Sequence, residues 1–126
     1  MGRLKKKTII FGSSGDIGKK IKQVLNKHHL LEINSKELDL SNIEAANKFD
    51  LKMMPDNIIF VSGKNNPKEY LKLSNEEIIE IFNTNFISFI IVLKKILKKI
   101  IKSKKKCKII LITSLYSQFG RSKRLL

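Results

Sequence analysis

The chain has 126 residues, enough for one domain with its own core, and an ordinary hydrophobic share of 42%. Its 26 basic residues against 11 acidic ones give a net charge of +15, but only Arg3, Arg121 and Arg124 are arginines and the lysines fall in nearly every segment, so a dedicated nucleic-acid reader, which leans on Arg, is disfavoured. One cysteine, Cys107, excludes an internal disulfide, and the longest apolar run, Phe86 to Leu93, is far short of the roughly 20 residues of a membrane span, so a soluble cytoplasmic protein without a membrane partner is expected.

Lys5–Lys7 lead into Thr8–Phe11, an apolar run without alternation that reads as a buried parallel strand. A glycine loop follows. Ile17, Ile21, Val24 and Leu25 then recur at helical spacing, with Lys19, Lys20, Lys22 and Gln23 outside. Leu30–Ile33 reads as a second strand and Leu38–Leu40 as a very short third. Ser41, with Glu44 three residues on, predicts a capped helix running to about Met54, where Pro55 and Asp56 stop it. Asn57–Val61 reads as a fourth strand and Ser62–Ser74 as a loop. Ser74 and Glu77 form a second capping pattern before a long helix over Asn75–Lys102, and Lys108–Thr113 reads as a fifth strand. Strands alternating with helices predict an α/β fold with a doubly wound parallel sheet and right-handed crossovers.

The loop Gly12-Ser-Ser-Gly15-Asp-Ile-Gly18 stands between the first strand and the first helix. Glycine there permits a tight turn and close approach of a ligand, while the helix N-terminus offers free N–H groups and partial positive charge. A nucleotide phosphate is the ligand such a turn suits. A P-loop is excluded: five residues separate Gly12 from Gly18, and Lys20 stands where Ser or Thr is required. His28 and His29 lack the partners a metal site needs, so no metal is expected.

With this loop, Asp39-Leu40-Ser41, Val61-Ser62-Gly63, Asn83-Thr84-Asn85-Phe86 and Ile110-Leu111-Ile112-Thr113-Ser114 fall in an order that resembles the short-chain dehydrogenase/reductase family across essentially the whole chain. The resemblance implies a Rossmann-type domain over residues 1–126 and hydride transfer between a nicotinamide cofactor and a small carbonyl or alcohol. It implies that Gly12, Gly15 and Gly18 hold the pyrophosphate, lined by Ser13, Ser14, Asp16 and Ile17. The spacing differs from the commonest form of that loop, which leaves the subfamily open. Asp39 and Leu40 correspond to the adenine contact, Ser62 and Gly63 to the stretch against the adenine ribose. Asn85 corresponds to the helix asparagine of the proton relay, and Ser114 to the catalytic serine that polarises the substrate carbonyl. Ser35 and Lys36 follow the second strand, where a carboxylate would favour NAD and a basic residue NADP; they tip the expectation to NADP(H) over NAD(H).

The family's proton donor is a Tyr with a Lys four residues later, about a dozen residues beyond the serine. That position falls past Leu126, and neither Tyr70 nor Tyr116 has a Lys at +4. The expectation is therefore an N-terminal portion, truncated or frameshifted, without turnover and with weak cofactor binding, whose sheet is incomplete on its C-terminal side. The long helix carries Phe82, Phe86, Phe89, Ile90, Leu93, Ile96, Leu97 and Ile100 on one broad face with lysines opposite. It is expected to pack on the sheet, and the resemblance adds a role in homo-oligomer formation for residues 75–102. Two other readings stay open: a noncatalytic dinucleotide-binding module, and a basic nucleic-acid binder.

Overall fold

The computed structural model describes residues 5–113; Ser114, which the resemblance marks as catalytic, lies outside them. Four strands form one all-parallel sheet: β1 (Lys7–Phe11), β2 (His29–Ile33), β3 (Asn57–Phe60) and β4 (Lys108–Leu111), in the order β2-β1-β3-β4. Four helices connect them: α1 (Asp16–Val24), α2 (Ile43–Lys48), α3 (Asn75–Phe82) and α4 (Ser88–Ser103). The fold is α/β and Rossmann-like. Ile9 pairs in register with Leu31 and Ile58, and Ile58 with Ile109. The chain steps one way from β1 to β2 and the other way from β3 to β4. Right-handed crossovers then put α1 and α4 on opposite faces of the sheet.

One face carries the main core. Ile9, Phe11, Ile58 and Phe60 meet Ala46 of α2 and Val92 and Ile96 of α4, closed by Leu38, Leu40 and Leu51. Phe11 stacks on Phe60 with centroids 4.4 Å apart, and Phe49 and Phe89 meet that pair edge-on at 5.6 and 4.8 Å. Thr8, Ile10 and Ile59 alternate to the other face and are also buried.

The expected Leu38–Leu40 strand does not form. Glu37 and Leu38 donate to the Asn34 carbonyl, making a turn, and Leu38 and Leu40 are core plugs that need no ladder. Hence the sheet has four strands among the described residues, not five. Ser41 is not the cap of α2. Its hydroxyl donates to Asp39 Oδ1 at 2.7 Å, and Asn42 Oδ1 instead accepts from Glu44 N and Ala45 N. That helix ends at Lys48, well before Met54, because Phe49 turns out of helical geometry to reach Phe11.

The Ser74–Glu77 capping box forms in both directions, at 3.2 and 2.9 Å. The long helix is also continuous, but a π-helical stretch, Asn83–Ile87, lies between α3 and α4. Such a turn shifts the helical phase. Phe89, Ile91, Val92, Leu93, Ile96 and Ile100 meet the core. Phe86, Ile90 and Leu97 are exposed, contrary to the single packed face the sequence suggests. In α1, Ile17 and Val24 likewise face outward, and the buried position is Gly18. Among the described residues, no helix is long and apolar enough to cross a membrane.

Candidate functional site

Because β1 lies between β2 and β3, the direction of winding reverses at the β1–β3 boundary. Loops leaving the carboxyl ends of two such strands diverge and open a crevice. A cavity of about 370 Å³ sits there. Phe11, Gly12, Ser14 and Gly15 line it from β1, and Asn34 and Ser35 from β2. Leu38 to Ser41 form a further wall, Val61 to Lys64 line it from β3, and Glu80 and Thr84 from the long helix.

The glycines have three distinct reasons for being there. Gly12 has φ +87°, and a Cβ on it would lie 2.5 Å from Ser62 N. A Cβ on Gly18 would strike the Gly12 carbonyl oxygen and come within 2.9 Å of Ser13 Cα. These two let strand, turn and helix touch. Gly15 is different: a Cβ there meets only Gly12 O, at an ordinary 3.6 Å. Nothing in the fold requires Gly15, which leaves the open cavity beside it as what a side chain would fill. Gly15 is also the N-cap of α1 and supplies no side-chain hydrogen bond. The first-turn amides of α1 therefore lack the partner that a cap would give them. Gly12 N and Ser13 N are anchored to Ile33 O at 2.8 and 3.3 Å, which ties the turn to β2.

The cavity thus gathers Gly12, Ser14, Gly15, Ser35, Asp39, Leu40, Ser62 and Gly63 of the expected site. Ser13 is buried beneath the turn, its Oγ without a hydrogen-bond partner, and Asp16 and Ile17 are exposed on the first turn of α1. Gly18 packs against the turn. Lys36 lies outside this wall, beside a second cavity of about 630 Å³ that Ser35 and Asp39 share. Asp39 is held by Ser41 through both N–H and hydroxyl, at 2.9 and 2.7 Å. Neither carboxylate near the end of β2 reaches the cavity: Glu32 pairs with Lys22 at 2.8 Å, and Glu37 accepts from Asn34 N at 2.9 Å.

Asn85 lies outside the cavity wall and acts on it through the backbone. Its Oδ1 accepts from Lys64 N at 2.6 Å and its Nδ2 donates to Lys64 O at 2.8 Å. This clamp fixes the residue after Ser62 and Gly63. Lys64 also pairs with Glu80. Glu77 holds the same loop further along, accepting from Asn66 at 3.1 Å and Lys68 at 2.5 Å. The Lys68 contact, then the Ser74 backbone, hold the Glu77 carboxyl down at about 2, against 4.5 for a free Glu. A lowered folded-state value means the contribution is present above 4.5 and fades as pH falls toward 2. Glu77→Gln is accordingly expected to melt at a lower temperature than the parent at neutral pH, with the difference closing across that acid range. A constant difference at all pH values would assign the loss to something other than the charge.

Lys64, Glu80, Thr84, Asn34 and Ser41 line the cavity without having been singled out as site residues from the sequence. Asn34, directly after β2, was within reach of sequence reasoning. Thr84 was not: its Oγ1 is buried without a partner in the π-helical stretch, and no sequence pattern announces that turn.

No family model matches the chain, and no curated protein matches it. Solved structures do. A mutant 4-hydroxyisoleucine dehydrogenase with NADH and succinate superposes with a TM-score of 0.81 at 25% identity, over 94% of this chain and 59% of its own. The same dehydrogenase with NADH gives 0.79 at 24% identity, over 95% and 60%. A small-chain dehydrogenase in complex with NADPH gives 0.71 at 16% identity, over 94% and 55%. The likeness establishes the fold, and the chain spans about 60% of the length of the first two.

Proposed function

We propose that this chain is the dinucleotide-binding portion of an NAD(P)-dependent oxidoreductase of the short-chain type, acting between a nicotinamide cofactor and a small carbonyl or alcohol. The observation that carries the reading is Gly15. It is an N-cap without a side chain, sterically unneeded by the fold, facing a cavity at the switch point of a parallel sheet. The backbone from Gly12 to Gly18 would cradle the pyrophosphate, with the α1 dipole favouring its charge. Asp39 and Leu40 would take the adenine end, and Ser62 and Gly63 the adjoining ribose. Asn85 would position that loop through Lys64, and Ser114 would polarise the substrate carbonyl. The cofactor supplies the hydride.

The choice of NADP(H) is supported by charge. Directly after β2, Ser35 lines the cavity and Lys36 adjoins it, while Glu32 is held by Lys22, Glu37 by the Asn34 backbone N–H, and Asp39, the carboxylate on this wall, by Ser41. A homo-oligomer through helix residues 75–102 fits the exposed Phe86, Ile90 and Leu97. Titration of the chain with NADPH and with NADH, followed by reduced-nicotinamide fluorescence, tests the site. Saturable binding is expected, tighter for NADPH by about tenfold. Tighter binding of NADH would overturn the cofactor choice, and no saturation by either the whole reading.

A further inference from the structure

Lysines that the sequence scatters are collected by the topology. In an all-parallel sheet every strand begins at one edge, here the edge opposite the glycine turn. Lys5–Lys7 begin β1, Lys27 precedes β2, and Lys104–Lys106 and Lys108 begin β4. Helices α1 and α4 run back against the strands, so Lys102 ends there too. Neighbouring strands lie about 5 Å apart, so these charges lie within or near the ~8 Å screening length of physiological salt and act together.

Side-chain ion pairs do not answer them. Ion pairs among the described residues engage Lys22, Lys48, Lys64, Lys68, Lys72 and Lys99, and none of the edge lysines. Asp50 on the flank is taken by Lys99, and Asp56, hydrogen-bonded to the backbone N of Lys7, sets one negative charge among these lysines and leaves the edge strongly positive. The C-terminal dipoles of two helices offer only about half a charge each. Such a surface repels itself and calls for a polyanionic partner.

The flanking residues select the partner. Val24 closes α1 and Ile101 stands in the last turn of α4, and they are 80% and 75% exposed. Among the described residues this edge carries no Arg, Phe, Tyr or Trp with which to read or stack a base. Lysines bordered by bare aliphatic side chains suit phospholipid headgroups, the charges meeting phosphates and the aliphatics entering the interface. From this juxtaposition we infer that the amino edge of the sheet docks on an anionic lipid surface, leaving the cavity at the far end facing solution.

The test is co-sedimentation of the 126-residue chain with phosphatidylcholine vesicles, with and without phosphatidylserine, at physiological salt. Binding is expected only with phosphatidylserine. Lys6→Gln/Lys105→Gln/Lys106→Gln is expected to weaken it about 100-fold, from about fivefold per lysine. Lys19→Gln/Lys20→Gln/Lys94→Gln removes the same charge elsewhere and is expected to weaken it only a few-fold. Val24→Ser/Ile101→Ser, at exposed sites that spare the fold, is expected to weaken it about tenfold. No binding by the parent chain, or equal losses from the two lysine triples, would overturn the inference. So would tighter binding to a homopolymeric RNA that the Val24/Ile101 change leaves untouched, which would make the edge a nucleic-acid surface.

Discussion

Gly18→Ala is expected to unfold the chain at temperatures where Gly15→Ala stays folded. The added methyl at position 18 meets the Gly12 carbonyl oxygen and the Ser13 backbone, which belong to the turn that α1 packs on. Backbone atoms cannot rotate aside as a side chain would, so the helix must lift away from β1. A cost of about 3 kcal/mol follows from the upper range of overpacking, a large part of a typical domain's stability. Gly15 has φ −71° and ψ 166°, open to any residue, and its new methyl makes an ordinary 3.6 Å contact. Its change is expected to cost no more than about 1 kcal/mol, while the methyl enters the proposed pyrophosphate cradle and is expected to lower dinucleotide affinity by about tenfold or more. Thermal unfolding followed by circular dichroism separates the first effect, and cofactor titration the second. Equal loss of stability in the two variants would mean that the turn does not have this geometry.

Phe60→Ala is expected to be the most damaging change in the core. The ring is stacked between Phe11 at 4.4 Å and the edge of Phe89 at 4.8 Å, joining β1, β3 and α4. Removing it leaves a cavity that three separate elements cannot close together, at about 3–5 kcal/mol. The same residue leads directly into Val61 and Ser62 of the cavity wall, so dinucleotide binding is expected to fall with stability. Urea unfolding gives the stability loss. A midpoint close to the parent's would show that the Phe11–Phe60–Phe89 stack carries little of the core.

Local features were legible in the sequence. The glycine turn, the Ser74–Glu77 box and β1, β2 and β3 depend on neighbours in the chain, and each forms close to where its pattern predicts. Leu38–Leu40 misled because burial alone looks like a strand when the chain plugs a core without pairing. Ser41 and Asn42 are both good caps, and the choice fell to Asn42 once Asp39 took the Ser41 hydroxyl. The π-helical stretch at Asn83–Ile87 left no trace in the residue pattern, yet it decides which apolar residues of the long helix meet the sheet. Of the cavity wall, the residues following strands β1 and β3 were legible because their place is fixed by the strand before them. Lys64, Glu80 and Thr84 come together only when the helix docks. The gathering of lysines at one edge likewise belongs to the parallel topology, since helices separate the strands they lead along the chain.

On the proposed function, the turn from Gly12 to Gly18 holds a dinucleotide. Its most direct test is to follow the backbone amide resonances of the chain during NADPH addition. Saturable shifts are expected at Gly12, Ser14, Gly15, Asp16, Ile17 and Gly18, joined by Ser62 and Gly63 across the cavity, with Lys104 to Lys106 at the opposite edge unmoved. Shifts confined to the lysine edge, with the glycine amides unchanged at saturation, would contradict it.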